Sequence, residues 1–296
     1  MTGNRVLVVG DVMVDIIVTP DGPIVRGSDR RAEIAKRHGG SGANQAVWLG
    51  YFDVPVTFIA RVGAADLHYY QRYFESFGVA PALSGDIERQ TGMLLTLVDP
   101  DGERSFLTDR AANLNLGPRD VPAETLKDIS LLVVSGYSLF EQAPRSAILG
   151  LVDEARELGI EFAVDPASTS FLAEMGPARF FEATRGAAML FPNEEEAGLL
   201  TGTADVDEQL EVLLGHAELV AIKRGPEGAI AGRRGGEVVR LPAPKINVRD
   251  STGAGDAFLA RFVAERFSGA PLRQCLAKAI GAGSAAAAMI GGQPPR

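Results

Sequence analysis

Short runs of consecutive apolar residues recur along the chain at 6–9, 56–60, 131–134, 162–164, 188–191 and 219–222. They are rich in Val, Ile and Leu and do not alternate with polar residues, which predicts strands of a parallel sheet buried on both faces. Between them lie amphipathic stretches. In 145–158, the residues Ile148, Leu149, Leu151, Val152, Ala155 and Leu158 share one face at three- and four-residue steps. Stretches 66–77 and 206–214 have the same period. Strand and helix alternate, so the pattern predicts right-handed crossovers and an open α/β sheet with helices on both sides. Ligands of such sheets bind beyond the carboxyl ends of the strands.

Two stretches interrupt the alternation. Residues 12–33 carry Val14, Ile16 and Val18 at period two, followed by Pro20, Gly22, Pro23 and Gly27. Residues 91–108 read as a hairpin around Asp99-Pro-Asp-Gly102. Neither belongs to the parallel sheet. The expectation is a small β lid over its carboxyl edge, inserted at about 12–33 and 91–108 of one α/β domain; two decorative hairpins would give the same pattern. The end, Gly291-Gly-Gln-Pro-Pro-Arg296, is expected to be a loop with a frayed terminus.

A chain of 296 residues with 46% hydrophobic and 23% charged residues has ample core material. The formal net charge of −9, with no basic block, argues against nucleic acid and against an anionic membrane surface. The lone Cys275 excludes an internal disulfide and a cysteine metal cluster. His38, His68 and His216 are scattered, without metal-ligand spacing. No apolar run reaches the roughly 18 residues of a membrane span, and the N-terminal residues do not read as a signal peptide. A cytoplasmic location is expected.

The most informative residues are Asp250-Ser-Thr-Gly-Ala-Gly-Asp256, which open an apolar helical pattern. A Gly-Ala-Gly turn at a helix start aims unpaired N–H groups outward, where the helix dipole favours an anion. Asp256 stands in the same turn, where its carboxylate can take a proton from a hydroxyl. A base beside an anion cradle is what phosphoryl transfer to an alcohol requires. Earlier in the chain, His38-Gly-Gly-Ser-Gly-Ala-Asn44 has glycines for close ligand approach and an Asn suited to a polyol, or forms a turn and helix cap. In Phe191-Pro-Asn-Glu-Glu-Glu196, Asn193 and Glu196 share one side of a helix start. They are suited either to hydrated Mg²⁺ or to capping. Ala221-Ile-Lys-Arg-Gly-Pro-Glu-Gly228 ends a strand with Lys223 and Gly225, which either meet a phosphate or form a solvated turn. No Gly-Lys pair occurs, so there is no Walker A loop.

In order and separation, Gly39-Gly-Ser-Gly-Ala-Asn44, Asn193-Glu-Glu-Glu196 and Asp250-Ser-Thr-Gly-Ala-Gly-Asp256 resemble the signatures of the ribokinase-like (PfkB) carbohydrate kinases, and the resemblance covers essentially the whole chain. It implies an α/β core with a β lid that also forms a dimer interface, and ATP and Mg²⁺ as cosubstrates. It assigns Asp256 as base, with Gly253, Ala254 and Gly255 as anion hole. Asn193 and Glu196 would serve phosphate and metal, and Lys223, Gly225 and Gly228 the nucleotide. Asp15, Gly40 and Asn44 would hold the sugar, and Asp250 and Thr252 match a loop that takes K⁺ in some members.

Three departures are visible. Met13 replaces a sugar-binding Asn of ribokinases, Lys223 replaces a common Thr as in some ketodeoxysugar kinases, and the sequence stops at Arg296 where many relatives continue into a helix. Arg110, after the second lid segment, would either clamp a substrate carboxylate or pair with Asp109 or another surface acid. The expected function is ATP-dependent phosphorylation of a hydroxyl on a small sugar or sugar acid. The alternatives are a nucleoside kinase of the same family or a non-catalytic sugar- or nucleotide-sensing protein.

Overall fold

A computed structural model describes residues 5–98 and 104–295. Its strands are β1 (Arg5–Val9), β2 (Met13–Pro20), β3 (Ala32–Gly39), β4 (Val56–Gly63), β5 (Val79–Asp86), β6 (Gly92–Val98), β7 (Arg104–Asp109), β8 (Ile129–Ser135), β9 (Glu161–Asp165), β10 (Met189–Leu190), β11 (Leu219–Lys223), β12 (Ala229–Arg233) and β13 (Val238–Leu241). The helices are α1 (Ser41–Tyr51), α2 (Leu67–Glu75), α3 (Tyr137–Phe140), α4 (Gln142–Glu157), α5 (Thr169–Met175), α6 (Pro177–Ala183), α7 (Glu194–Thr201), α8 (Val206–Leu214), α9 (Ala254–Phe267) and α10 (Leu272–Ala287).

Nine strands form one sheet in the order β13-β12-β11-β10-β9-β8-β1-β4-β5. It is parallel from β11 to β5, with β12 and β13 antiparallel at one edge. Each predicted apolar run lies on one of these strands. Their side chains divide by parity: Val6, Val8, Leu131 and Val133 enter a core beneath α1, α9 and α10. Leu7, Val9, Leu132 and Val134 enter a second core with α4 and α8. Burial on both faces is why the runs are apolar throughout. The periodic stretch 206–214 coincides with α8.

The two interrupting stretches supply β2, β6 and β7 of a separate four-stranded sheet, β3-β2-β6-β7, whose β3 lies mostly beyond residue 33, outside the expected segment. β2 and β3 pair along their whole length, from Met13 opposite Gly39 to Pro20 opposite Ala32, so the pairing carries the chain through His38, which was read as part of a glycine loop. β2 also runs parallel to β6, which makes the two segments one body rather than separate hairpins. The turn at 99–102 lies outside the described residues.

The C-terminal segment differs from the frayed end expected of it. Trp48 donates its indole N–H to the Gly292 carbonyl at 2.9 Å, Gly291 N–H donates to Asp250 at 3.0 Å, and Tyr73 hydrogen-bonds Gln293. The cause is the absence of side chains. Gly253 has φ +73°, and a Cβ on it would run into the Gly292 backbone. Two glycines therefore let the segment pack directly under the start of α9.

Among the described residues, no helix is long and apolar enough to cross a membrane.

Candidate active site

The strand order reverses direction at β1, which lies between β8 and β4. The crevice beyond the strands' carboxyl ends at such a point is where open sheets bind ligands. Here it receives Asp11 after β1, Ser135 from β8, Asp165 from β9, Lys223 from β11, the start of α1 and the start of α9.

Asp256 lies in the first turn of α9, 8% exposed. Ser41 Oγ donates to its Oδ1 at 2.7 Å, Asn44 Nδ2 to Oδ2 at 3.0 Å, and Gln45 Nε2 to Oδ1 at 3.1 Å. Burial and the nearby Asp165 push its carboxyl up to about 7, against the downward pull of Ser41, Asn44 and Lys223. Gly253 is the left-handed N-cap of α9, and Ala254 and Gly255 follow it. The backbone donors expected from this motif and the acid therefore share one helix turn.

Lys223 ends β11, and its Nζ contacts Asp165 Oδ2 at 2.7 Å. A Cβ placed on Gly255 would lie 3.1 Å from that Nζ, so the ammonium faces the first turn of α9. Asn193 and Glu196 form a reciprocal capping box: Glu196 N–H donates to Asn193 Oδ1, and Asn193 N–H to Glu196 Oε2, each at 2.8 Å. The capping reading of this pair is thus realised. Glu196 is also buried, which pushes its carboxyl up to about 7 against the opposing influence of Lys223. A parallel bridge joins Asn193 to Lys223. On the outer side, Lys223, Gly225, Gly228, Ala254 and Gly255 edge a cleft of about 610 Å³ whose far wall includes Ile246, Val248, Phe258 and Ile280.

Asp15 stands on β2 opposite Arg37 and beside Leu94. Only a glycine fits next to it, because a Cβ on Gly39 would strike its carboxylate. Its carboxyl rises to about 7, first through burial and then through Asp11, Asp250 and Asp256. Its Oδ1, Asn44 Oδ1 and Gln45 Oε1 are buried acceptors without a partner. Gly40, φ +94°, precedes α1, and a Cβ on it would strike the Asp11 and Met13 backbone.

Arg110 does not pair with Asp109, whose carboxylate accepts the Ala111 N–H at 3.0 Å. Its partner is the buried Asp11, at 3.2 Å, and its guanidinium lies 4.8 Å from the centre of the Tyr137 ring. Asp11 also accepts Gly42 N–H and Ser135 Oγ. Tyr137 is pushed up to about 12, first by burial and then by the nearby Asp11, against the downward pull of Arg110. Asp250 Oδ1 accepts from Thr252 N and Oγ1, and its Oδ2 from Gly291 N, so this pair ties the loop to the C-terminal segment.

Sequence reasoning did not single out Asp11, Ser41, Gln45, Tyr137 or Asp165. For Asp11 and Asp165 a signal existed: each is an acid at the carboxyl end of a buried parallel strand. Ala167, in the turn after Asp165, has φ +76°, a conformation costly to a residue with a Cβ. Ala167→Gly is expected to stabilise the fold by about 1 kcal/mol, read from the urea midpoint at constant slope. An unchanged or lower midpoint would mean that the turn is not strained.

Residues 4–296 match the family described as pfkB family carbohydrate kinase. A protein named 5-dehydro-2-deoxygluconokinase from Listeria monocytogenes serotype 4a (strain HCC23) is 28% identical over 275 residues, covering 86% of this chain and 81% of that one. A probable sugar kinase from Rhizobium etli CFN 42 superposes with TM-score 0.89 at 25% identity, over 100% of this chain and 96% of its own. An adenosine kinase from Sinorhizobium meliloti gives TM-score 0.89 at 25% identity, over 100% and 97%. A putative ribokinase II from E. coli, solved with ATP and Mg²⁺, gives 0.87 at 22% identity, over 98% and 94%. With its motifs in place along a ribokinase-like α/β fold, this chain belongs to the pfkB family of carbohydrate kinases.

Proposed function

We propose that this carbohydrate kinase transfers the γ-phosphoryl group of ATP to a hydroxyl of a small sugar acid, with Asp256 as general base. The observation that carries the reading is the buried Asp256 carboxylate, held by three donors in the same helix turn as the Gly253-Ala254-Gly255 backbone. Asp256 takes the acceptor's O–H proton. The freed oxygen bonds to the γ-phosphorus while the bond to the bridging oxygen breaks, its electron pair leaving on ADP. The N–H groups of Gly253 and Gly255 and the Lys223 ammonium meet the charge on the transferring group, and the Ala254 N–H, which donates to the Ser251 carbonyl at 3.2 Å, would join them by leaving that bond. Binding alone has no need of a base there, which weighs against a sensor.

ATP is a substrate, and the cleft of about 610 Å³ beside Gly225 and Gly228 has the apolar wall an adenine needs. Mg²⁺ arriving with its phosphates would meet Asn193 and Glu196 through bound water. Glu196→Gln separates this role from capping, because Gln still accepts the Asn193 N–H. It is expected to raise the Mg²⁺ concentration for half activity roughly tenfold. An unchanged titration would leave Glu196 as a cap only. For K⁺ at the Asp250–Thr252 loop, the test is activity in K⁺ against Na⁺ buffers.

On the acceptor side, the unpartnered oxygens of Asp15, Asn44 and Gln45 suit the O–H donors of a polyol. Arg110 supplies the cation for a carboxylate, and the sugar-acid kinase name of the Listeria relative supports that substrate class. A nucleoside acceptor stays in view through the adenosine kinase neighbour. The test is acceptor-dependent ADP release across sugar acids, ketoses, aldoses and nucleosides. A nucleoside as best acceptor would overturn the sugar-acid reading. The small sheet would act as the lid. It exposes Ile34, Phe106 and Leu107, which suits cover by a second copy; light scattering gives the stoichiometry.

A further inference from the structure

We infer that Asp165 is a positioning residue for the transfer step, holding the Lys223 ammonium at the anion hole and away from the catalytic base. Both carboxylate oxygens of Asp165 are committed: Oδ2 to Lys223 Nζ at 2.7 Å and Oδ1 to the Ala167 N–H at 3.2 Å. The backbone around it is equally constrained. Gly136 N–H donates to the Asp165 carbonyl at 2.8 Å, and a Cβ on Gly136 would strike the Asp165 and Pro166 carbonyls. The turn closes through Ala167 at φ +76°, a conformation that persists only where its surroundings impose it. A strained turn thus fixes the direction of one carboxylate, and that carboxylate fixes one ammonium.

The position matters because of what lies near it. The Lys223 Nζ faces Gly255. Its charge acts on both Asp256 and Glu196, and each is an alternative anionic partner. An ammonium free to move to Asp256 would occupy the carboxylate that must accept the substrate proton. Held by Asp165, it uses one N–H and keeps two for phosphoryl oxygens. The turn's strain, the ion pair and the contact with α9 are then parts of one support. Glu196 and Asn193 retain their separate place on α7.

This rests on the proposed transfer reaction at Asp256, and the test separates the two. Steady-state kinetics with the best acceptor are measured for Asp165→Asn, Lys223→Met, the double variant and Asp256→Asn, with ATP-induced melting shifts to verify nucleotide binding. The double variant removes both members of the buried ion pair rather than stranding one of them, so it remains testable if a single variant folds poorly. Asp165→Asn is expected to lower kcat at least tenfold with the acceptor KM within about threefold. Lys223→Met is expected to lower kcat at least as far, and the double variant no further than Lys223→Met, because both act through the same ammonium. Multiplying losses, a kcat within threefold of wild type in Asp165→Asn, or a loss confined to the KM for ATP would overturn the inference. An active Asp256→Asn beside an impaired Asp165→Asn would sink the base assignment alone.

Discussion

Asp256→Asn is expected to lower kcat by about 10²–10⁴ while the KM for ATP stays within a few-fold. The amide keeps the shape of the carboxylate and a single acceptor for Ser41 or Asn44, but it cannot take the hydroxyl proton. Its effect on stability runs the other way. Burial pushes Asp256, Asp15 and Glu196 each up to about 7. A carboxyl raised in the folded state keeps its proton where the unfolded chain has lost it. Its contribution to stability is therefore full below the ordinary carboxylate range, near pH 4, and is lost as pH rises through about 7. Activity needs the ionised base, so kcat should climb over the same window, with an apparent pKa that belongs to the interacting acids together. Asp256→Asn should accordingly melt no lower than wild type at pH 8. Turnover within threefold of wild type would remove Asp256 from the chemistry. A kcat flat from pH 5.5 to 8 would contradict the buried-acid picture.

Arg110→Ala is expected to weaken a sugar-acid acceptor by about 2–4 kcal/mol, roughly 30- to 1,000-fold in KM, and to leave ATP affinity alone. The guanidinium is anchored by Asp11 through Nη1 and lies against Tyr137. That pairing fixes its plane and leaves further N–H donors for a carboxylate. The same variant also removes the cation beside the buried Asp11, so a lower melting temperature is expected with it. Arg110→Lys keeps a charge near Asp11 but lacks the fork; it should largely restore stability and only partly restore acceptor binding. A neutral sugar as best acceptor, with KM indifferent to both variants, would leave Arg110 as a structural counterion of Asp11. The kinase would survive that result.

How far the sequence was readable depends on the distance over which each feature is determined. Continuous apolar runs marked the buried strands because two cores press on them, as the parity of Leu7 and Val8 shows. The short β10 was found for the same reason. Strand β5, Val79–Asp86, was not, because only its first and last residues are buried and its pattern is mixed. β3 was missed because only its last residue, Gly39, is buried and it owes its existence to pairing with β2. At the site, the glycine motifs betrayed themselves by composition. Asp165 did not, because its role is defined by a lysine 58 residues away. Nor did Arg110 reveal its partner, since nothing local links it to Asp11, 99 residues earlier.

The hydrogen bonds to Asp256 span 211 to 215 residues of chain. The packing of Gly292 under Gly253 joins the C-terminal segment to the same knot. Closing loops of that length is slow, since the chain entropy must be surrendered before the contacts form. The strands and helices, by contrast, mature through nearer neighbours. Catalytic competence should therefore be among the last properties to return on refolding, trailing the recovery of far-ultraviolet circular dichroism. A partly synthesised chain still on the ribosome would have neither a settled base nor a phosphate site, and could not consume ATP before residues 291–293 had docked.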